Sequence, residues 1–588
     1  MSTSPSPLAA DLRATVAAAR RELWDELRGE QVDHSHWVGE LSSSALSTAT
    51  AVVALSLAAE DRHVKPIAAG LRWLQANVNS DGGFGDTTRS RSNLSTTFLV
   101  QAAFAIAGRS ERDAEVRGRA ERWVAAAGGT SAILAKYGDD RTFSVPILMM
   151  GALGGLVPWK AIPRLPFELA ALPQSFYAAM RLPVVSYAMP ALIAIGQLLH
   201  EKNPTRSPQR WVRNATRTRT LRKLEALQPA NGGFLEATPL TSFVTMSLAS
   251  MGQLEHRVTR RGVGFLLDSQ RDDGSWPIDT HLATWVTTLS INALGRDARD
   301  WLPKPAATLD WLLGQQYSTP HPFTGASPGG WAWTPLPGGV PDADDTAGAV
   351  RALSAIGQDD ARATQARDAG LRWLHDLTNR DGGTPTFCRG WGTLPFDCST
   401  PELTAHRLAA MASHTTIANG RSTQANRSAV AAAAYLARTQ RADHCWSPLW
   451  FGNEHAADEA NLVYGTGRML EAWDSTGPEV QAAAAALAEQ QNPDGGFGGQ
   501  RMLPSTVEET AIAIAGLAAA WQRGIESFDP SSITRATQWL LEALRSGHHH
   551  TANPIGLYFA NLWYHERLYP HTFALTALTR LLGRQLEP

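Results

Sequence analysis

One short motif recurs along this 588-residue chain and constrains its fold more than any other feature. The motif has the form Gln-x-x-Asp/Asn-Gly-x-aromatic, and its clear copies begin at Gln228, Gln270 and Gln491. Weaker copies are found at Asp81–Phe84, Gly329–Trp331, Asp381–Gly383 and Gln440 with Trp446. Stretches of helical character, such as 282–294 and 507–520, adjoin the copies. Helix, tight turn and helix repeating roughly every 40 to 60 residues predict an all-α fold, in which stacked helix pairs bury the apolar faces that one pair cannot.

The recurring motif, called the clasp below, has a mainly structural interpretation. Its glutamine can bond the backbone of the turn, and its aromatic residue can stack on the next helix pair. A chain of this length exceeds one ordinary hydrophobic core, so we expect two domains. The proline-rich segment Leu302–Ala306 is the predicted place of the change, near residue 300.

Composition excludes several classes of protein. A formal net charge of −2 provides no global field for holding a nucleic acid, so no nucleic-acid partner is predicted. The cysteines, Cys388, Cys398 and Cys445, are too few for a disulfide framework, which fits a reducing cytosol. Residues 1–21 lack the apolar core of a signal peptide, and the most apolar region, 145–199, is interrupted by charges and prolines.

An aspartate-rich segment, Asp342-Ala343-Asp344-Asp345, carries the strongest chemical signal. Its carboxylates could cap a following helix at 346–356, where free backbone N–H groups attract anions. Alternatively, mutual repulsion and an apolar environment could keep one carboxyl protonated near neutral pH. A single exposed aspartate, with a pKa of about 4, could not hold its proton there. The spacing alone leaves both interpretations open.

Taken with the clasp, several segments resemble squalene-hopene cyclases and related class II prenyl cyclases. These segments are 341–347, 403–406 and 464–466, while 448–453 is most similar to the bacterial squalene and tetraprenyl-curcumene cyclases. The resemblance implies two α/α barrels enclosing an apolar cavity. Its catalytic barrel would comprise residues 1–25 and 301–588, and the second barrel residues 26–300.

The resemblance also implies a catalytic assignment. Asp344 would be the proton donor to an alkene, with Asp342 and Asp345 as its supporting carboxyls. His406 would donate a hydrogen bond to Asp344 as a protonated imidazole and make Asp344 a stronger acid. Tyr464 would order a water that reprotonates the acid. A core-packing role is the alternative for His406 and for Tyr464.

The implied cavity needs aromatic side chains, because their faces stabilise carbocations without trapping them. Glu402, assigned to the substrate cavity, stands where the family usually has aspartate. The predicted cavity aromatics, each with packing or clasp duty as the alternative, are Trp285, Trp333, Tyr187, Trp391, Trp450 and Tyr564.

Departures from hopene formers argue against hopene as the product. Leu557 and Asn561 stand where hopene formers carry aromatic residues, and Tyr187 replaces a tryptophan. Thr48 and Thr238 replace the glutamate and glutamine that position the terminating water.

Two further signals lie outside the aspartate segment. Basic residues crowd 202–223 after the apolar stretch 183–199, which favours monotopic association with the cytoplasmic face of the cell membrane over a merely solvated helix face. The triple histidine 548–550 suggests adventitious metal affinity, but no ligand spacing or carboxylate completes a site. We therefore predict a loop there, with neither metal nor cofactor.

The functional hypothesis is proton-initiated cyclisation of squalene or a similar C30–C35 linear polyprene. One alternative is a class II cyclase of a prenyl diphosphate such as geranylgeranyl diphosphate, which would require cationic cavity residues such as Arg389 or Arg567. A second alternative is a toroid without cyclase activity, either a prenyltransferase-like subunit or a binding module. A homodimer is compatible with all three hypotheses.

Overall fold

A computed structural model describes residues 8–137, 141–173, 176–177, 180, 185–415, 423–559 and 562–583. In the first half of the chain the helices are α1 Ala10–Gly29, α2 Ala45–Ala59, α3 Val64–Ala76, α4 Leu94–Ala107, α5 Glu111–Ala126, α6 Gly129–Tyr137, α7 Arg141–Leu153, α8 Val185–Lys202, α9 Gln209–Leu227, α10 Thr238–Ser250 and α11 Arg257–Asp268. In the second half they are α12 Ala283–Leu294, α13 Ala298–Trp301, α14 Pro305–Gly314, α15 Ala343–Ile356, α16 Ala361–Leu377, α17 Pro401–Thr415, α18 Thr423–Thr439, α19 Leu462–Ala472, α20 Pro478–Glu489, α21 Val507–Gln522, α22 Ser531–Arg545 and α23 Tyr569–Leu582.

Short elements complete the described fold. The strands pair as two antiparallel ribbons, β1 Ser43–Ser44 with β2 Trp276–Pro277, and β3 Gly556–Tyr558 with β4 Leu562–Tyr564. Single 3-10 turns lie at Glu60–Arg62, Trp159–Ala161, Phe167–Ala171, Phe234–Glu236, Gly295–Asp297 and His548–His550. The predicted all-α class is confirmed.

The helices form two closed rings. In the first ring, neighbours contact one another in the order α2, α4, α7, α8, α10 and back to α2. In the second ring, the order is α12, α15, α17, α19, α21, α23 and back to α12. The remaining long helices pack outside these rings. Helix α1, although first in the chain, lies against α23 and so belongs to the outer layer of the second ring.

The change between rings comes earlier than the predicted residue 300. Helix α12 closes the second ring by contacting both α15 and α23, so the chain enters that ring by Ala283. The proline-rich segment Leu302–Ala306 instead joins two outer helices, α13 and α14, of the same ring. Prolines start an outer helix there and do not separate the domains.

The inner helices have the sequence expected of elements buried on every side. Helix α2 is buried at nearly all positions and consists largely of Ala, Val, Leu and Thr. Helix α21 is similar, and its first turn buries Glu508 and Glu509. A helix that is apolar around its circumference can be stable only where other elements surround it. No described helix is both long and apolar enough to span a bilayer.

The clasps join successive helix pairs as the motif predicts. Gln270 Nε2 donates to Gly274 O at 3.1 Å and to Pro66 O, in α3, at 3.0 Å. Trp276 Nε1 closes the turn by donating to Leu266 O at 2.6 Å. Gly274 has φ +91°, and a Cβ there would lie 2.7 Å from Ala69 O, so this position requires glycine. Gln228 and Gln491 likewise bond one carbonyl of their own turn and one of the next unit.

Candidate active site

The aspartate segment begins an inner helix of the second ring and is fixed there by a degenerate clasp. Gln316 Nε2 donates to Gly329 O and Ala366 O, at 2.8 and 2.9 Å. Asp342 N then donates to Trp331 O at 2.9 Å, next to this turn. The clasp therefore sets where α15 begins, and with it the direction of the three carboxyls.

The three carboxyls have different surroundings. Asp342 caps α15, because its Oδ1 accepts the Asp345 N–H at 2.9 Å. Both side chains are buried. Burial raises the pKa of Asp342 to about 8, against hydrogen bonds from Asp345 that lower it. Burial, and next the charge of Asp342, raise the pKa of Asp345 well above its usual range. Helix capping and carboxyl clustering, which the spacing left as alternatives, both occur.

Asp344 is the most accessible of the three, with 24% of its side chain exposed. Its Oδ1 lies 2.5 Å from Nδ1 of His406 on α17. The protonated imidazole stays a prediction: burial lowers the pKa of His406, and Arg351 and Arg468 nearby act in the same direction. Asp344 acts the opposite way but does not reverse the shift.

Behind Asp344 lies a small polar chamber lined by Asp344, Arg351, Glu402, His406, Tyr464, Arg468, Glu471 and Ala472. Glu471 lies 2.8 Å from Arg468 and 3.7 Å from Arg351. Although burial opposes it, the surrounding guanidinium groups, Arg468 first, lower the pKa of Glu471 to about 2. Arg468 and Glu471 were missed from sequence, although they follow Tyr464 at the i+4 and i+7 spacing of one helix face.

Glu402 and Tyr464 belong to this chamber and not to the apolar cavity predicted for Glu402. Glu402 Oε1 accepts the Leu449 N–H at 2.6 Å, and burial raises the pKa of this carboxyl to about 7. Tyr464 is buried and stacks on Phe451, with ring centroids 3.9 Å apart. The chamber thus places a carboxyl that titrates near neutral pH beside the acid.

On its other side Asp344 borders an apolar cavity. At this end the lining includes Trp285, Trp333, Trp450 and Tyr564, as expected, with Leu557 among them. Each indole N–H donates a hydrogen bond to a polar partner. Trp285 donates to Tyr569 Oη at 3.1 Å, Trp333 to Asp279 Oδ2 at 3.1 Å and Trp450 to Thr386 Oγ1 at 2.9 Å. These bonds fix the rings that line the space beside the acid.

A second apolar space, of about 310 Å³, lies within the first ring and shares the lining residues Tyr558 and Phe559 with the cavity beside Asp344. Tyr187 lines this far part and packs on Phe387 at 5.3 Å and Phe396 at 5.7 Å. Phe559 lines both parts and lies 6.3 Å from Phe387. Phe387, Phe396 and Phe559 were not predicted, because they stand on connecting segments without helical periodicity.

Some expectations fail or remain outside the described residues. Trp391 is not a cavity residue: it lies on the connection between α16 and α17 and is 56% exposed. Thr48 is engaged in a clasp, where its Oγ1 accepts the Trp276 N–H at 3.1 Å. Thr238 is buried at the start of α10, next to cavity-lining Pro239. Asn561 lies outside the described residues.

Comparison with known proteins agrees with this arrangement. Residues 21–277 match the family model of the squalene-hopene cyclase N-terminal domain, and residues 281–583 that of the C-terminal domain. The squalene hopane cyclase afumA of Aspergillus fumigatus is 26% identical over 87% of this chain and 82% of its own length. The squalene–hopene cyclase of Bradyrhizobium diazoefficiens is 25% identical over 87% of this chain and 86% of its own.

Two further proteins resemble this chain, and they differ in how much of their own length the resemblance covers. The terpene cyclase-glycosyl transferase fusion protein fsoA of Humicola fuscoatra is 27% identical over 98% of this chain, which spans about half (51%) of that protein. The solved ent-copalyl diphosphate synthase from Streptomyces platensis shares the fold, with a TM-score of 0.57 and 18% identity over 98% of this chain and 100% of that one. The two matched domains cover nearly the whole chain, which therefore belongs to the squalene-hopene cyclase family of class II terpene cyclases.

Proposed function

We propose that this enzyme cyclises squalene or a similar C30–C35 polyprene, with Asp344 as the proton donor. The observation that carries the proposal is the position of Asp344 between an apolar, aromatic cavity and a polar chamber. An alkene could approach the carboxyl from one side while protons return from the other. Carboxylic acids protonate alkenes only when the resulting cation is stabilised at once, which the aromatic side would provide.

In the proposed reaction, the proton of the Asp344 carboxyl adds to the less substituted carbon of the terminal double bond. The cation left on the neighbouring carbon is attacked by the next double bond, and ring closures follow until a proton is lost or water adds. Asp342 and Asp345, whose pKa values burial raises, would be the supporting carboxyls of Asp344. Tyr464, in the polar chamber, would order the water that returns the proton, as the family resemblance implies, and Glu402 lines the same chamber.

The aromatic side chains would stabilise the moving cation. Trp285, Trp333 and Trp450 line the cavity beside the acid, and Phe387 lies among them at 6.1 Å from both Trp333 and Trp450. Cation–π attraction contributes about 0.5–2 kcal/mol for each well-placed ring. Apart from the three aspartates, few groups there could capture the cation.

A hydrocarbon is favoured over a prenyl diphosphate by the charge of the cavity. Among the described residues lining either part of it, none is a lysine or arginine. The two cations considered from sequence lie elsewhere: Arg389 is exposed, and Arg567 is paired with Glu30 at 2.7 Å. A diphosphate requires cationic partners to replace its hydration.

A water-insoluble substrate requires a route from the membrane, and the first ring exposes a suitable surface. Exposed apolar side chains gather on the segment 169–180 and the start of α9, namely Leu169, Leu172, Phe176, Met180, Trp211 and Val212. Exposed Arg206 and Arg210 stand beside them. Part of the basic strip is structural instead, since Arg213 bonds Glu168 at 3.0 Å and Arg217 bonds Glu201 at 2.9 Å. We propose that this surface binds the inner face of the cell membrane.

Vesicle sedimentation tests the membrane proposal. Trp211→Ser should weaken binding to anionic vesicles severalfold, whereas Trp391→Ser, which removes an exposed tryptophan elsewhere, should not. Equal effects of the two changes would contradict the assigned surface.

Product analysis tests the proposed reaction. Detergent-purified enzyme is incubated separately with squalene, tetraprenyl-curcumene and geranylgeranyl diphosphate, and the extracts are analysed by mass spectrometry. We expect cyclised hydrocarbon from the wild type and from Asp300→Asn, a change at an exposed position, and none from Asp344→Asn. Product from the diphosphate alone would establish the alternative substrate class. Unchanged turnover in Asp344→Asn would overturn the mechanism.

A further inference from the structure

Four potential metal ligands converge on the outside of the second ring, away from the cavity. Glu26 lies on α1, His549 and His550 on the 3-10 turn after α22, and His571 in the first turn of α23. One ligand atom from each of them lies within 4.8 Å of every other. The sequence predicted no carboxylate that would complete a site at the triple histidine, but folding brings Glu26 to it across 523 residues.

The side chains are directed at a common point. His549 Nε2 lies 3.0 Å and His571 Nε2 3.3 Å from the same atom, Glu26 Oε2. The ring of His550 is 4.0 Å from that of His549 and 5.7 Å from that of His571. Three imidazoles and one carboxylate are a set typical of four-coordinate zinc, whose bonds to nitrogen and oxygen are about 2.0–2.2 Å. Small side-chain rotations would bring the four atoms to those distances.

The environment suits an ion that enters from solvent and is then held. His549 and His571 are buried, whereas Glu26 and His550 are exposed on the open side.

We propose that Glu26, His549, His550 and His571 form a binding site for a zinc-class divalent metal that fastens α1 and the 3-10 turn to α23. Helix α1 is the N-terminal element of the second ring's outer layer, and α23 is an inner helix of that ring. The same first turn of α23 carries Tyr569, whose hydroxyl accepts the Trp285 indole N–H in the cavity wall. The proposed metal site therefore has a structural role, and the proposal does not depend on which substrate the enzyme cyclises.

Metal titration of the full chain, with any affinity tag removed, tests the site. The protein is stripped with a chelator, and zinc affinity is measured by competition with a chromophoric chelator. Cobalt(II) provides a second readout, because a four-coordinate site with nitrogen ligands gives intense visible absorption. We expect one tight site per chain and a zinc-dependent rise in the thermal midpoint.

Three variants separate this site from general histidine affinity. Glu26→Gln, at a position with 44% of its side chain exposed, should fold normally but lose at least tenfold in zinc affinity together with the thermal shift. His571→Ala should do the same. His548→Ala, in the same turn but outside the cluster, should match the wild type. The proposal is overturned if the wild type binds no zinc tightly, or if Glu26→Gln binds it as tightly as the wild type.

Discussion

Replacing Glu402 with glutamine should flatten the pH dependence of the enzyme's stability. Glu402 is a buried carboxyl of the polar chamber, and burial raises its pKa from 4.5 to about 7. Glutamine keeps the Oε1 that accepts the Leu449 N–H, and it cannot ionise. Glu402 Oε2 has no partner among the described residues, so a protonated carboxyl and an amide leave a similar group unsatisfied there. The substitution therefore removes the titration with little other change.

The size and sign of the effect follow from linkage. A folded-state pKa above the unfolded value means that the native state binds the proton more tightly, so the stabilisation is fully present below about pH 4.5 and is lost as the pH rises through 7. At about 1.4 kcal/mol per pKa unit, the shift corresponds to roughly 3 kcal/mol. About 2.5 kcal/mol of this would be lost between pH 5 and pH 8.

The assay is urea unfolding followed by tryptophan fluorescence at pH 5 and pH 8. Wild type and Glu402→Gln are compared at each pH, so the contributions of other buried carboxyls cancel. We expect the glutamine variant to gain roughly 2–3 kcal/mol relative to wild type on going from pH 5 to pH 8. Glu489→Gln, at an exposed position, should show no such change. A constant difference between Glu402→Gln and wild type at both pH values would refute the assignment of a raised pKa to this carboxyl.

Two further substitutions test the clasp and the cavity. Gln316→Ala removes two hydrogen bonds from the clasp that starts α15, so we expect a loss of about 1–3 kcal/mol in stability and a fall in turnover. Gln270→Ala should lower stability similarly but spare turnover, and equal effects on turnover would contradict the link between that clasp and the acid. Trp450→Phe removes the bond to Thr386 and the larger aromatic face, so turnover should fall roughly fivefold to tenfold, corresponding to about 1 kcal/mol. Trp391→Phe should leave turnover unchanged; a comparable fall would contradict its placement outside the cavity.

The helix pairs could be predicted from sequence because each clasp is a local pattern whose residues meet across one turn. Gln270, Gly274 and Trp276 are within seven positions of one another, and their bonds recur in the other copies. The boundary between rings could not be found this way. Proline marks the start of an outer helix as readily as a domain change, and only contacts show that α12 belongs to the second ring.

The acid itself was predictable, whereas much of its surroundings was not. Asp344 and His406 are 62 residues apart, and the family resemblance alone paired them. The charge of His406 depends on burial and on Arg351 and Arg468, which no local pattern connects to it. Trp391 was assigned to the cavity by position against the family, but its connecting segment leaves it at the surface.

The cavity phenylalanines and the histidine cluster were missed for related reasons. Phe387 and Phe559 stand on connecting segments, where side-chain direction follows from tertiary packing and not from periodicity. Glu26 and His549 meet only because α1 packs against the C-terminal end of the chain. Long-range contacts of this kind carry no signal in a single sequence.

Cyclisation in deuterium oxide tests the central claim most directly, because proton initiation leaves a mark in the product. If Asp344 exchanges its proton with solvent through the polar chamber and delivers it to the terminal alkene, the cyclic product gains a single deuterium on the ring carbon that was the less substituted carbon of the terminal double bond. Asp344→Asn should give neither the product nor the label, whereas Asp300→Asn should give both. A cyclic product without deuterium at that carbon, or one formed with release of diphosphate, would contradict initiation by Asp344.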